Sequence, residues 1–147
     1  MANKHVTFWT VAISFFALDR ISKFLVIKYI PLNSSIDFKF FSVVHFMNTG
    51  TAFGLLKSAS WFFIIFAAAV SAFLILKYKS FAYGIQAELG LILAGAMGNL
   101  IDRLLYGAVI DFIDFHFWPA FNVADAAVSV AVVLLLLREY LPKKRKI

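Results

Sequence analysis

The chain has no cysteine, so disulfides, thiolate metal sites and a cysteine nucleophile are excluded, and the redox compartment stays undetermined. Acids are scarce too, eight against fourteen Lys and Arg, for a net charge of +6. Only 15% of the 147 residues are charged, whereas 63% are hydrophobic and 18% aromatic, and mean hydropathy is +0.88. That is far too little polar surface to cover a soluble globule, so the chain belongs in a bilayer. No G-x-S-x-G is present, and Ser22 next to Lys23 lies in a helix suited to an ion pair, so serine chemistry is poorly supported. Without G-x-x-x-x-G-K-[ST] or G-x-G-x-x-G, nucleotide use is unsupported, and without H-E-x-x-H no metal site is expected. The surplus Lys and Arg sit at the two ends and in one connector, a pattern of membrane topology rather than of nucleic-acid binding.

What is present is a set of long apolar runs. A mainly α integral membrane protein is expected, one membrane domain over 1–147 with four transmembrane helices at about 6–30, 59–76, 87–105 and 120–137. Loops fill 31–58 and 106–119. The first run carries Asp19, Arg20 and Lys23, which break the apolar core a signal peptide needs, so it reads as an uncleaved span ending at Pro31. The loop after it has turn residues (Pro31, Asn33, Ser34, Ser35, Asp37), a β-prone stretch over 38–46, then Asn48-Thr49-Gly50-Thr51-Ala52-Phe53-Gly54. The 106–119 segment reads as a short aromatic-rich connector. With four spans, Lys4, the Lys77 and Lys79 connector and the basic run Lys143, Lys144, Arg145 and Lys146 share one side. The positive-inside rule makes that side cytoplasmic, with both termini inside.

This topology sets depths. Asp19 lies 13 residues above Val6, roughly 20 Å up a helix; Asn99 and Asp102 come near the top of the third span, and Asn122 and Asp125 in the first turns of the fourth. The 48–54 loop and Asp111 lie on the same outer side. Polar groups from separate elements therefore converge on the outer leaflet, where each unpaired intramembrane acid is a candidate for function.

Asp19 and Lys23, spaced i, i+4 with the acid first, suit a helical ion pair; Arg20 is expected to reach toward the interface or a lipid phosphate. Gly95, Gly98, Asn99 and Asp102 share one helix face, whose small-residue spacing lets membrane helices approach closely. Arg103 is read as structural, pairing with a carboxylate or holding loop carbonyls. Asp111, between Ile110 and Phe112, and Asp125, flanked by alanines, are the pair to which chemistry is assigned. If they meet, two poorly solvated carboxylates share a proton, one acting as general base on water and the other as general acid. The alternative is that each is a lone acid satisfied by Arg103 or an asparagine. Asp114 ranks behind Asp111. Asn48, Asn99 and Asn122 can hold a peptide backbone or orient a carboxylate. His45 and His116 read as interfacial side chains, like Trp61 and Trp118. A proton-coupled transporter relaying protons through Asp19, Asp102 and Asp125 is the rival class; four spans without an internal repeat argue against it.

In order and spacing, the blocks Asp19-x-x-x-Lys23, Asn48-x-Gly50-x-Ala52-Phe53-Gly54, Gly95-Ala-x-Gly98-Asn99-x-x-Asp102-Arg103, Val109-x-Asp111-Phe112-Ile113 and Phe121-Asn122-x-Ala124-Asp125 resemble the lipoprotein signal peptidases (signal peptidase II) of bacteria. The resemblance implies a metal-free, cofactor-free aspartic endopeptidase of the inner membrane that cleaves before the diacylglyceryl-modified cysteine of prolipoproteins and is inhibited by globomycin-type cyclic peptides. It also implies a small extracytoplasmic β-rich cradle, with Asp111 and Asp125 as catalytic dyad. Asp19, Lys23, Asn48, Gly50, Gly98, Asn99, Asp102, Arg103, Asn122 and Ala124 would shape the site and bind substrate. Besides membrane lipids and substrate no partner is expected, nucleic acid included, and the protein is expected to be a monomer. The chain departs from the family pattern at Ala94 and Ala131, where glycines are common.

Overall fold

The computed structural model of the chain describes residues 3–50 and 59–140; Thr51, Ala52, Phe53 and Gly54 and the basic run after Pro142 lie outside them. Its elements are α1 (Lys4–Tyr29), β1 (Ser35–Asp37), β2 (Ser42–Asn48), α2 (Ala59–Lys77), α3 (Gln86–Tyr106), β3 (Val109–Asp114) and α4 (Val123–Tyr140), with two 3-10 turns, Tyr78–Ser80 and Tyr83–Ile85, between α2 and α3.

α1 runs for 26 residues because nothing interrupts it: it contains neither glycine nor proline. Asn3 caps its start, accepting the His5 N–H at 3.0 Å, and it stops at Ile30, whose extended backbone (φ −119°, ψ 117°) is what a following Pro31 requires. α3 ends at Gly107, which takes φ 71° while its N–H returns to the Arg103 carbonyl, a glycine cap. α3 is the central helix and packs against α1, α2 and α4. It does so at backbone range: a β-carbon on Gly90 would stand 2.7 Å from the Phe8 carbonyl oxygen, and one on Gly95 2.5 Å from that of Ala124. The small-residue face expected around Gly95 and Gly98 is thus where helices meet.

Outward, the bundle is apolar: Phe62, Ile65, Phe66 and Leu76 of α2 are all more than half exposed. Two helical segments, Ser60–Ser80 and Tyr83–Tyr106, are long and apolar enough to cross a membrane by length and composition.

At one end of the bundle β1, β2 and β3 form an antiparallel sheet in that order. Ile36 pairs with Val43, Phe46 with Asp111 and Asn48 with Val109, with a register shift between Val43 and Phe46. The β-prone stretch over 38–46 carries strand from Ser42 onward, and 38–41 joins β1 to β2. Two expectations are corrected. The 106–119 connector carries β3, and its residues 109–112 are buried, so both faces are covered and no alternation marks it as a strand. The fourth helix begins at Val123 rather than at 120, because Phe121 still pairs with Ile113 of β3 and Asn122 caps the helix.

Candidate active site

The start of α4 and the middle of β3 meet over Asn122. Its side-chain oxygen accepts the Asp125 N–H at 2.9 Å, while Asp125 Oδ2 accepts the Asn122 N–H at 3.3 Å. This is a reciprocal cap, which satisfies two of the orphan amides of a helix N-terminus. With its oxygen so used, the Asn122 amide group faces β3 and donates to Asp111 Oδ1 at 2.8 Å. One fully buried asparagine therefore ties both carboxylates.

Two further asparagines follow the same rule. Asn48, at the end of β2, accepts the Gly50 N–H at 2.8 Å and donates to Asp111 Oδ2 at 2.8 Å. Asn99, on α3, accepts from Lys23 Nζ at 3.1 Å and donates to Asp125 Oδ1 at 2.7 Å. In each, a donor on the oxygen fixes which way the amide points. Together they surround two carboxyl groups with neutral donors.

Asp111 is buried, whereas Asp125 is half-buried. Burial pushes the Asp111 carboxyl from its ordinary 3.8 up to about 6. The Asn48 hydrogen bond opposes the rise, the nearby negative charge of Asp125 adds to it, and Asn122 and Lys23 oppose it further. The two carboxyls thus sit in unlike surroundings, Asp111 buried and raised, Asp125 open to a groove.

Asp125 also lines a groove of about 400 Å³ floored by α3 and walled by α2 and α4, with Phe66, Ala67 and Val70 on one wall and Val128 on the other. Arg103 stands in it, its guanidinium 5.1 Å from the centre of the Phe63 ring and 3.4 Å from the Asn99 carbonyl. The groove is apolar along its length and polar where Asn99, Arg103 and Asp125 meet.

Asp19, Lys23 and Asp102 come together beneath this site but are buried, turned on one another and on backbone amides. The expected Asp19–Lys23 pair is present at 3.0 Å. Arg20 does not reach for the interface: it spans helices to Asp102 at 2.5 Å, because two buried carboxylates there need a second cation. Gly98 and Ala124 form the α3–α4 contact above Asp19. Asp114 lies at the outer end of β3 and accepts the His116 N–H at 2.7 Å, away from the asparagines. His45 is buried, with Nδ1 2.8 Å from the Ile30 carbonyl, so it closes the C-terminus of α1 rather than lying at an interface. Sequence reasoning passed over Glu88, buried at the far end of α3 and 2.5 Å from Arg138; an acid in an apolar span was the signal that should have marked it. Among the described residues no cluster of three or more His, Asp or Glu could hold a metal ion.

Comparison with known proteins identifies the family. The family model described as signal peptidase (SPase) II matches residues 11–141. Lipoprotein signal peptidases are similar along most of the chain. That of Thermodesulfovibrio yellowstonii is 46% identical over 130 residues, covering 81% of this chain and 84% of its own. That of Syntrophomonas wolfei is 43% identical over 143 residues, covering 95% and 96%. A bacterial membrane enzyme solved by the in meso method at 1.9 Å resolution superposes with a TM-score of 0.83 at 28% identity, covering 91% of this chain and 92% of that one. A match of this extent places the chain in the signal peptidase II family of bacterial membrane peptidases.

Proposed function

We propose that this protein is an aspartic endopeptidase that removes the signal peptide from prolipoproteins, cutting before the diacylglyceryl-modified cysteine with water activated by Asp111 and Asp125. The observation that carries the reading is Asn122, which binds both carboxylates and so holds them as one unit. In the reactive form Asp125, in the groove, is the base, and Asp111, the carboxyl that burial raises, carries the pair's one proton. Water loses a proton to Asp125 as its oxygen adds to the scissile carbonyl, and Asp111 protonates the carbonyl oxygen, giving a neutral gem-diol. Asp125 then protonates the leaving nitrogen, a gem-diol hydroxyl returns its proton to Asp111, and the C–N bond breaks to a carboxylic acid and an amine. Neither metal nor cofactor has a part in this scheme.

The signal peptide is an apolar helix, and the groove between α2 and α4 has the lining to take one. The same reading makes the chain a single four-span domain of the inner membrane, termini cytoplasmic, with the sheet and the dyad at the outer leaflet, where a lipidated cysteine lies. It acts as a monomer, open to globomycin-type peptides that occupy the substrate groove.

The test is cleavage of a diacylglyceryl-modified prolipoprotein by purified protein in detergent, with and without a chelator. Wild type should cut in both conditions while Asp111→Asn and Asp125→Asn bind substrate without turnover. Near-normal rates in both variants would dismiss the dyad; an inert wild type would return attention to proton-coupled transport.

A further inference from the structure

Below the dyad lies a four-charge cluster, Asp19, Arg20 and Lys23 from α1 with Asp102 from α3, and it is neutral as a set. Its carboxylates do more than neutralise cations. Asp19 gives Oδ2 to Lys23 at 3.0 Å and Arg20 at 3.1 Å, and its other oxygen, Oδ1, accepts the N–H of Ala124 at 3.1 Å. Asp102 gives Oδ1 to Arg20 at 2.5 Å and Oδ2 to Lys23 at 2.7 Å, and Oδ2 also accepts the N–H of Ile110 at 3.3 Å. Ala124 immediately precedes Asp125, and Ile110 immediately precedes Asp111. Each buried acid thus grips the backbone one residue ahead of one member of the dyad.

Lys23 completes the arrangement. An ammonium has three N–H donors, and the three acceptors around Lys23 Nζ are Asp19 Oδ2, Asp102 Oδ2 and Asn99 Oδ1. The third of these turns the Asn99 amide so that its NH2 faces Asp125. Asp19, Lys23 and Asp102 are no more than 1% exposed, so a substrate in the groove does not meet them.

We infer that Asp19, Lys23 and Asp102 are positioning residues: a buried ionic clamp that fixes the separation and orientation of Asp111 and Asp125 through the amides of Ile110 and Ala124 and through Asn99. The inference rests on the dyad reading above. Its physical basis is that catalysis by two groups depends on placement, an error of about 1 Å costing on the order of 10²-fold in rate. Charged acceptors hold an amide more firmly than neutral ones.

Asp19→Glu and Asp102→Glu test it, since they keep the charge and both oxygens but push the carboxylate one methylene further. Asp102→Asn, which removes the charge, serves as a second variant. Cleavage of the diacylglyceryl-modified prolipoprotein is measured across pH and expressed per folded enzyme, folding being scored from each variant's thermal transition in detergent. The expected result for the Glu variants is a fall in kcat on the order of 10²-fold with KM within about threefold, and a displaced pH–rate profile because the carboxyl pair is no longer coupled as before. A structural role alone would lower the folded fraction and leave the rate per folded molecule and the profile at wild-type values; that outcome overturns the inference. If Asp102→Asn does not fold, the Glu pair decides. Asp111→Asn and Asp125→Asn run alongside: activity in those sinks the dyad itself, whereas inactivity there together with wild-type behaviour in the Glu variants sinks only the clamp.

Discussion

Gly98 and Asp19 occupy adjoining space so closely that a β-carbon on residue 98 would stand 2.6 Å from Asp19 Oδ2 and 3.2 Å from the Ala124 β-carbon. Asp19 cannot retreat, because both its oxygens are held. Gly98→Ala is therefore expected to destabilise the protein by about 1–3 kcal/mol, the usual cost of overpacking, and to lower the cleavage rate along with it. Gly107→Ala is the contrast. Nothing lies within 4 Å of a β-carbon there, so only the left-handed backbone resists, at about 1–2 kcal/mol, and the rate per folded enzyme should stay at the wild-type level. Thermal midpoints and kcat for the two variants separate these effects.

What was legible in the sequence was local, and what was not depends on distant partners. Asp111 and Asp125 could be picked out because carboxylates in apolar runs are costly, and that cost is local. Gly98 was visible through its spacing from Gly95 and Asp102. Arg20 was not, since its partner Asp102 is 82 residues away and its neighbour on α1 gives no hint of an interhelical reach. Strand β3 was hidden because its residues 109–112 are buried on both faces of the sheet, erasing the period-two pattern on which a strand is recognised. The start of α4 was misplaced because Ala120 is helix-compatible by composition, whereas the true boundary is set by Asn122 accepting the Asp125 N–H.

The raised Asp111 carboxyl has a stability consequence. An acid whose titration point is higher in the folded state than in the unfolded chain binds more protons when folded. Its stabilising contribution is therefore full below about 4 and is lost as pH rises through about 6. A rise of that size corresponds to about 3 kcal/mol. Asp111→Asn does not titrate, so the wild type should lose stability relative to it between about pH 4 and 6 and stay at a constant offset above. Unfolding midpoints of the two proteins over that range would show it; parallel curves would contradict it.

Asn48 and Asn122 both stabilise the ionised form of Asp111 by donating to it. Removing either donor should push that carboxyl higher still, so the limb of the pH–rate profile that reports Asp111 is expected to move to higher pH in Asn48→Ala. Asn122→Ala should do the same and also lose the cap of α4, at about 1 kcal/mol. A hydrogen bond to a charged group contributes about 1.5–3 kcal/mol, which sets the loss of rate at roughly ten- to hundredfold if the donor is as important in the transition state. An unmoved limb in Asn48→Ala would mean that its amide does not engage the reacting carboxyl.

If the groove between α2 and α4 receives the signal-peptide helix, narrowing it should hinder binding without touching the chemistry. Ala67 lines that groove on α2 and is itself buried, so Ala67→Phe would narrow the groove and also crowd its neighbours; cleavage is therefore expressed per folded enzyme, with thermal midpoints measured alongside. Because the added ring stands on the apolar part of the wall, away from Asn99 and Asp125, the expected effect is a KM raised about tenfold with kcat nearly unchanged, the signature of lost uniform binding. Ile13→Phe is the matched control: Ile13 lines a separate apolar cavity of about 160 Å³ between α1, α2 and α3 that the carboxylates do not adjoin. Equal KM for wild type and Ile13→Phe, against a raised KM for Ala67→Phe, places the substrate between α2 and α4. The reverse pattern would move it to the α1 side of the bundle, where Asp125 could act on it only after a rearrangement of α3.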